Sequence, residues 1–243
     1  MSERIQVVPA ATRFRTRTDW LDSRSSFSFG EHYDPDNVGH GALVVSNDDV
    51  VATGRGFDDH PHRDAEILTW VLAGSLLHED SAGHRGITHR GLAQRMTAGR
   101  GIVHAERNDA YRLDPDAPLG PVRFVQMWVL PDALGTDPSY DQHEVDLAEL
   151  RRDWRPVASG SHPDAAVTLG RAGATLWVTV LEPAVARTLP VAPWVHLYVA
   201  DGAVEVESVG RLTAGDAVRL WGEHPLRVTG VRTAELLVWQ LTT

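Results

Sequence analysis

The chain has 243 residues, of which 42% are hydrophobic and 23% are charged, and its formal net charge is -10. This composition is that of an ordinary soluble globular protein with enough residues to bury a sizeable core, and the negative charge argues against direct binding of nucleic acid. The chain contains no cysteine, which excludes disulfides, thiolate metal ligands and cysteine nucleophiles.

The N-terminal segment, MSERIQVVPAATRFRTRTDW, lacks the continuous apolar stretch of a secretory signal. No segment of the chain approaches the roughly 20 apolar residues that a membrane-spanning helix needs. We therefore expect a cytoplasmic protein that does not insert into a membrane.

Short runs rich in β-branched and aromatic residues follow one another along the chain, separated by Gly, Asp and Pro. The runs are GALVVSNDDVVATG, ILTWVLAG, VRFVQMWVLPD, ATLWVTVLEP, VHLYVADGAVEVESVG and AELLVWQLTT. Runs of this length bounded by turn residues are typical of strands, and their number favours a sandwich or barrel. We predict an all-β protein in which a polar connector, residues 134–165, carries the one plausible helical segment, HEVDLAELRRDW.

The two halves of the chain show a faint internal repeat. The segment WVLAGSLLHEDSAGHRGITHRGLAQRMTAG in the first half resembles LYVADGAVEVESVGRLTAGDAVRLWG in the second. The repeat predicts two related β modules, with an N-terminal module at residues 1–133, the connector at 134–165 and a C-terminal module at 166–243.

Two pairs of polar residues in the first module have the spacing of metal ligands. GFDDHPHRDAEILTWVLAG contains His60 and His62, and GRGIVHAERN contains His104 and Glu106. In an extended segment, residues two apart point to the same face at a separation of about 6 to 7 Å. Three imidazoles and a carboxylate can hold one divalent transition metal with one or two positions open, a set that suits Fe(II).

The identity of the carboxylate ligand remains open at this point. Glu66 has the same parity as His62 and competes with Glu106 for the carboxylate role, and spacing alone does not choose between them.

When the repeat is aligned, the first histidine pair falls on Thr188 and Pro190. We therefore expect metal chemistry in the N-terminal module alone.

The remaining histidines and tryptophans have simpler interpretations. We predict that the histidines of LLHEDSAGHRGITHRG, which are His78, His84 and His89, are solvated surface residues. The tryptophans within β runs are expected to pack in the core or between strands, and they are Trp70, Trp177, Trp194 and Trp239.

Both metal-ligand segments resemble the signature motifs of the cupin superfamily. In the first, Gly54 stands six residues before His60; in the second, Gly101, His104 and Asn108 keep the frame Gly-x-x-His-x-x-x-Asn. Within that superfamily the chain is most similar to pirins. The similarity is carried by RSSFSFGEHYDPDNVG, GRGFDDHPHRDAEILTWVLAGSLLHEDSAG, QRMTAGRGIVHAERN and VQMWVLPDALGTDPSYDQ, and it is weaker in the second half.

The resemblance to pirins implies two cupin-type β-barrels in tandem. It also implies an N-terminal metal site formed by His60, His62, His104 and Glu106, with Glu66 excluded as a ligand, and a C-terminal barrel without a metal. The implied cofactor is one divalent transition metal, first of all Fe(II), with Ni, Co, Mn, Cu or Zn also compatible. We expect a monomer.

The resemblance further implies an activity like that of quercetin 2,3-dioxygenases, in which O₂ opens the heterocyclic ring of a flavonol and carbon monoxide is released. Glu106 is the candidate general base for the flavonol 3-hydroxyl, with a purely structural ligand as its competing role. The physiological substrate can also be another enol or catechol. The alternative function is a non-catalytic, metal-binding regulatory protein that acts through protein partners.

Overall fold

The computed structural model describes residues 4–242. The first three residues, which belong to the expected N-terminal module, and the last residue, which belongs to the expected C-terminal module, lie outside the described part of the chain. Strands dominate this range, and the predicted all-β class is confirmed. The strands are β1 (Arg4–Val8), β2 (Phe14–Arg17), β3 (Leu21–Ser25), β4 (Leu43–Val51), β5 (Gly56–His62), β6 (Glu66–Ala73), β7 (Ser75–Asp80), β8 (Arg85–His89), β9 (Leu92–Thr97), β10 (Ile102–Arg107), β11 (Val122–Val129), β12 (Ser139–Glu144), β13 (Arg155–Ser159), β14 (Val167–Thr168), β15 (Ala174–Leu181), β16 (Ala186–Thr188), β17 (Trp194–Val206), β18 (Gly210–Thr213), β19 (Ala217–Trp221) and β20 (Arg227–Leu241).

One short α-helix, α1 (Leu147–Arg152), forms where the sequence predicts it. The Asp146 carboxylate accepts a hydrogen bond from the Ala148 amide at the start of α1, and two arginines occupy its last turn. Both features stabilise a helix end. Among residues 4–242, no helix is long and apolar enough to cross a membrane.

The strands form three sheets. In the N-terminal half, a seven-stranded sheet has the order β12-β9-β6-β11-β4-β3-β2 and a four-stranded sheet has the order β5-β10-β7-β8. The C-terminal half forms a nine-stranded sheet with the order β1-β19-β17-β20-β15-β13-β14, in which β16 also pairs with β20 and β18 with β17. The four-stranded sheet carries both pairs of candidate metal ligands.

Two strands pair across the predicted module bounds. β1 lies within the first predicted module, yet it pairs with β19 of the C-terminal sheet, from Arg4 opposite Trp221 to Val8 opposite Ala217. β12 lies within the predicted connector, yet it extends the seven-stranded sheet by pairing with β9. The division at residues 134 and 165 stays a prediction.

The seven-stranded and nine-stranded sheets share one hydrophobic core. Trp70 of β6 and Trp239 of β20 are each 1% exposed and belong to the same cluster. The Trp70 indole donates to Glu235 Oε1 at 2.7 Å, and the Trp239 indole donates to Met127 Sδ at 3.2 Å. The core positions predicted for these two tryptophans are confirmed, whereas Trp177 and Trp194 are half-buried and pack against the edges of the core.

His40 lies buried where the two halves meet. Its Nε2 lies 3.0 Å from the Val195 carbonyl and 3.1 Å from the Leu220 carbonyl. Because both neighbours are acceptors, we assign the proton of the neutral ring to Nε2. Burial and, secondarily, the positive charge of Arg219 lower the pKa of His40 to about 4.

The stability of the protein is expected to fall on acidification because of His40. The unfolded chain takes up a proton near pH 6.5, whereas the folded chain does so near pH 4. The stabilisation is therefore fully present above pH 6.5 and is lost progressively as the pH falls to 4, by on the order of 3 kcal/mol. Urea unfolding between pH 7.5 and 4 measures this slope.

His40→Gln is expected to flatten that slope, because glutamine does not titrate. His143→Gln, which changes an exposed histidine, serves as the matched control and should leave the slope unchanged. Equal slopes for all three proteins would contradict the role of His40.

Candidate metal centre

Three histidines converge on the four-stranded sheet because β5 and β10 pair antiparallel. In this register His60 lies opposite His104, and His62 lies opposite Ile102. The ring centroids are 4.7 Å apart for His60 and His62, 4.5 Å for His60 and His104, and 4.8 Å for His62 and His104. One nitrogen of each ring lies within 4.8 Å of the others, which brings together three of the four predicted site residues.

The free nitrogens of the three rings can be identified from their partners. His60 Nδ1 is hydrogen bonded to the Asp58 carbonyl at 2.7 Å, which leaves its Nε2 available. His62 Nε2 and His104 Nε2 are buried and have no hydrogen-bond partner among the described residues. A buried polar atom without a partner is costly. The three Nε2 atoms therefore form a donor set suited to a cation.

The environment of His62 and His104 keeps these two rings neutral. Burial, together with the neighbouring His104 and His60, lowers the pKa of His62 to about 4. Burial likewise lowers the pKa of His104 to about 3, together with His60 and His78. Neutral imidazole is the form that binds a metal, so these rings need lose no proton at neutral pH.

Glu106 lies beside the three histidines with its carboxylate held by hydrogen bonds. Thr69 Oγ1 donates to Oε1 at 3.2 Å, and Gln126 Nε2 donates to Oε2. The pairing of β10 with β5 shifts register between His104 and Glu106. Glu106 lies within ligand distance of His104 and His78 but outside the close group of His60, His62 and His104, and its role as the fourth ligand stays a prediction.

Glu66 faces away from the histidines. Thr69, three residues later on β6, contacts Glu106, and alternation along the strand puts Glu66 on the opposite face. Its Oε2 accepts from Thr97 at 3.0 Å, and its Oε1 lies against Gly170 of the C-terminal half, where an added Cβ would be only 2.9 Å away. The parity argument for Glu66 is wrong because it assumes one continuous strand.

The continuity is broken by the turn between β5 and β6. Asp64 in this turn has φ 52, a left-handed conformation that interrupts the extended alternation, and β5 and β6 belong to different sheets. A single non-glycine residue of this kind is not visible in the alternation of the sequence.

The surface position predicted for His78 is wrong. His78 is 1% exposed, because β7 pairs with β10 and sets His78 opposite Glu106. Its Nδ1 lies 3.4 Å from His104 Nδ1. His84 reaches the surface, with its side chain 38% exposed and hydrogen bonded to Asp80, and His89 is exposed as predicted. The apolar run before His78 in SLLH was the one available sign of burial.

A cavity of about 290 Å³ opens beside the histidines. Its walls combine aromatic and polar side chains, and they are Thr16, Leu21, Ser23, Phe29, Gly30, Glu31, Asn47, Asp49, Phe57, His60, His62, Glu106, Gln126 and Trp128. Asn47 Oδ1 and Asp49 Oδ1 are buried and have no hydrogen-bond partner among the described residues. These two acceptors were not predicted from the sequence, where their one sign was the polar stretch SNDD, residues 46–49, within the apolar run of β4.

The all-β fold and the convergence of histidines from paired strands define a cupin-type protein. The chain belongs to the pirin family, since the family model described as Pirin matches residues 8–129. The predicted family is therefore confirmed.

Two relatives carry names that mention an activity. A protein of Mycobacterium tuberculosis (strain ATCC 25618 / H37Rv) is 48% identical over 242 residues, with 99% of this chain and 96% of that protein covered, and its name gives quercetin 2,3-dioxygenase as an unproven activity. A protein of Escherichia coli (strain K12) named quercetin 2,3-dioxygenase is 32% identical over 227 residues, with 91% and 92% covered.

One similar solved structure contains a metal. The crystal structure of the bacterial pirin YhhW from Escherichia coli in complex with nickel(II) is 30% identical in sequence and has a TM-score of 0.87. The match covers 98% of this chain and 99% of that one.

The close approach of β5 to β10 depends on Gly56. A Cβ at this position would lie 2.3 Å from the Glu106 carbonyl oxygen and 2.5 Å from Arg107 Cα. We expect Gly56→Ala to lower the free energy of unfolding by about 1 to 3 kcal/mol, measured as a shift of the urea midpoint. Val103→Ala, a change at an exposed position of β10, should stay within about 0.5 kcal/mol. An unchanged midpoint for Gly56→Ala would mean that β5 can move away without loss.

Proposed function

We propose that this chain is a metal-dependent dioxygenase that opens the heterocyclic ring of flavonols such as quercetin and releases carbon monoxide. A divalent transition metal is held by His60, His62 and His104, with Glu106 as the fourth ligand. The observation that carries the proposal is the convergence of three histidines, two of which, His60 and His62, line a cavity whose other walls combine aromatic and polar side chains.

The donor set fits a first-row divalent metal. Three neutral imidazoles and one carboxylate leave open positions on an octahedral ion, and Fe(II) is the first candidate, with Ni, Co, Mn, Cu or Zn compatible with the same ligands. The nickel(II) complex of the E. coli pirin supports the binding of a metal by this chain. When bound, the cation supplies positive charge that lowers the pKa of a substrate hydroxyl beside it.

Glu106 is the group that receives the proton of the flavonol 3-hydroxyl. It is 2% exposed and lines the cavity, and Thr69 and Gln126 hold its carboxylate in one orientation. An oriented carboxylate in a site of low dielectric constant can act as a base without first reorganising. The same carboxylate is a poor base if it stays tightly bound to the cation. Its two roles are therefore exclusive at the moment of proton transfer.

The cavity walls suit a planar polyphenol. Phe29, Phe57 and Trp128 offer ring faces and edges for stacking. Asn47 Oδ1 and Asp49 Oδ1 offer two buried acceptors, each of which requires a donor. A flavonol with free hydroxyls satisfies both requirements, and a different enol or catechol of the same shape is the alternative substrate. Cytoplasmic location, a monomeric state and protein partners remain predictions.

Two buried glutamates provide a matched test of the ligand assignment. We expect Glu106→Gln to weaken binding of Fe(II) or Ni(II) by about tenfold or more, because a negative charge beside the cation is lost. Glu66→Gln removes the same charge from a residue of β6 that faces away from the histidines. This variant should bind the metal as tightly as the unmodified protein does. Anaerobic titration against a competing chelator measures both. Equal binding by the two variants would remove Glu106 from the ligand set.

The activity itself is tested by reconstitution with Fe(II) under anaerobic conditions, followed by addition of quercetin and O₂. We expect bleaching of the flavonol, uptake of O₂ and release of carbon monoxide, with loss of all three in His62→Ala because a ligand is missing. Glu66→Gln should retain turnover. Stoichiometric metal binding without consumption of any flavonol would contradict the enzymatic function and favour the regulatory alternative.

A further inference from the structure

A line of polar side chains runs from the metal centre to the protein surface on the side away from the cavity. His104 Nδ1 lies 3.4 Å from His78 Nδ1, and His78 Nε2 lies 3.4 Å from Asp80 Oδ2. His84 Nδ1 lies 2.8 Å from the same Asp80 oxygen. The His84 side chain is 38% exposed, whereas the side chains of His78 and Asp80 are 1% and 0% exposed. None of the three inner residues meets the substrate cavity.

Asp80 is the fixed charge of this line. Its Oδ1 accepts hydrogen bonds from the backbone amides of Ala82 at 2.9 Å and His84 at 3.0 Å. Burial raises the pKa of Asp80, but the hydrogen bonds from His84 and His78 outweigh it and hold the pKa below its usual value. Asp80 is therefore a carboxylate at neutral pH, and a carboxylate only accepts hydrogen bonds.

For neutral His78 and His104, the Asp80 carboxylate determines which ring nitrogen carries the proton. Because Asp80 accepts, His78 must carry its proton on Nε2, which leaves a lone pair on His78 Nδ1. That lone pair faces His104 Nδ1, so His104 must carry its proton on Nδ1. The lone pair of His104 is then on Nε2, the nitrogen without a partner that faces His60 and His62.

We propose that Asp80 and His78 are positioning residues that fix the tautomer of His104, so that His104 Nε2 presents its lone pair to the cation. Tyr140 holds the line in place, since its ring stacks on His78 with centroids 4.7 Å apart and on His84 at 5.4 Å. Outer partners of this kind orient the ligand and increase its basicity. The effect on metal binding rests on the proposed function, but the tautomer itself does not.

The competing arrangement is a second cation bound by His78. Donor atoms of His78, His104 and Glu106 also lie within 4.8 Å of one another. A cation there would have to replace the proton on His104 Nδ1 and would separate His78 from His104. The two arrangements differ in stoichiometry, because positioning predicts one ion per chain and a second site predicts two.

Asp80→Asn tests the proposal by reversing the direction of the hydrogen bonds that run from residue 80 through His78 to His104. The amide can present an N–H to His78 Nε2, which then accepts and moves its proton to Nδ1. His104 must in turn accept at Nδ1, and its Nε2 gains the proton that blocks the cation. We expect Zn(II) to bind on the order of 10- to 100-fold more weakly, measured by calorimetry on the full chain.

Glu79→Gln is the matched control, since it removes the same charge from the adjacent, half-exposed residue, which pairs with Arg85. It should bind Zn(II) within about twofold of the unmodified protein. Binding by Asp80→Asn equal to that of Glu79→Gln would overturn the proposal, as would two Zn(II) ions per chain in the unmodified protein.

A direct reading of the tautomers keeps the proposal testable even if Asp80→Asn fails to fold. In ¹⁵N-labelled full-length protein without added metal, long-range ¹H–¹⁵N correlations should show Nδ1–H on His104 and Nε2–H on His78. Nε2–H on His104 would overturn the proposal. Because neither spectrum nor calorimetry uses a flavonol, absence of turnover with these results intact would reject the enzymatic function alone.

Discussion

The antiparallel pairing of β5 with β10 is the interaction on which the site depends. Its register sets His60 opposite His104, and two residues of alternation on β5 add His62 on the same face. A slip of one residue would turn one of the paired strands over and separate the imidazoles. Gly56 allows the close approach at one end of the pair, and the register shift after His104 displaces Glu106 from the other three side chains.

The seven-stranded sheet excludes water from one side of the β5–β10 pair. From Glu66 to Leu72, every residue of β6 is buried, because one face meets the metal-centre side and the other meets the C-terminal half. Trp70 and Trp239 are fully buried at that second face, and each such side chain contributes about 1.5 to 3 kcal/mol. The C-terminal sheet therefore excludes water from behind Thr69 and Glu106, where hydrogen bonds are correspondingly stronger.

Much of the fold and the histidine triad could be predicted from the sequence because both depend on local patterns. Alternating apolar runs identify strands, and His-x-His at a strand edge places two ligands on one face without knowledge of the partner strand. The resemblance to pirins supplied the choice of Glu106, which local spacing left open. Three histidines then needed only one correct strand pair, β5 with β10, to converge.

The rest could not be predicted because it depends on contacts between strands distant in sequence. His78 is buried only because β7 pairs with β10, 26 positions later. Glu66 faces away from the histidines because the chain turns at Asp64 and passes from the four-stranded to the seven-stranded sheet. β1 joins the C-terminal sheet through a partner more than two hundred residues away. Neither alternation nor composition records such pairings, since each strand is compatible with several neighbours.

The two sides of the histidine triad are chemically unlike, and that difference restricts where a reaction can occur. On one side lies an open cavity with aromatic walls and two unpartnered acceptors. On the other side, His104 is hydrogen bonded to His78, and Tyr140 stacks against that ring and closes the space. The cavity, with its aromatic and polar walls, is therefore the side on which the substrate of the proposed reaction would bind. In the proposed function, His78 and Asp80 act through the orientation and basicity of His104, so that substrate binding and ligand positioning are assigned to separate residues.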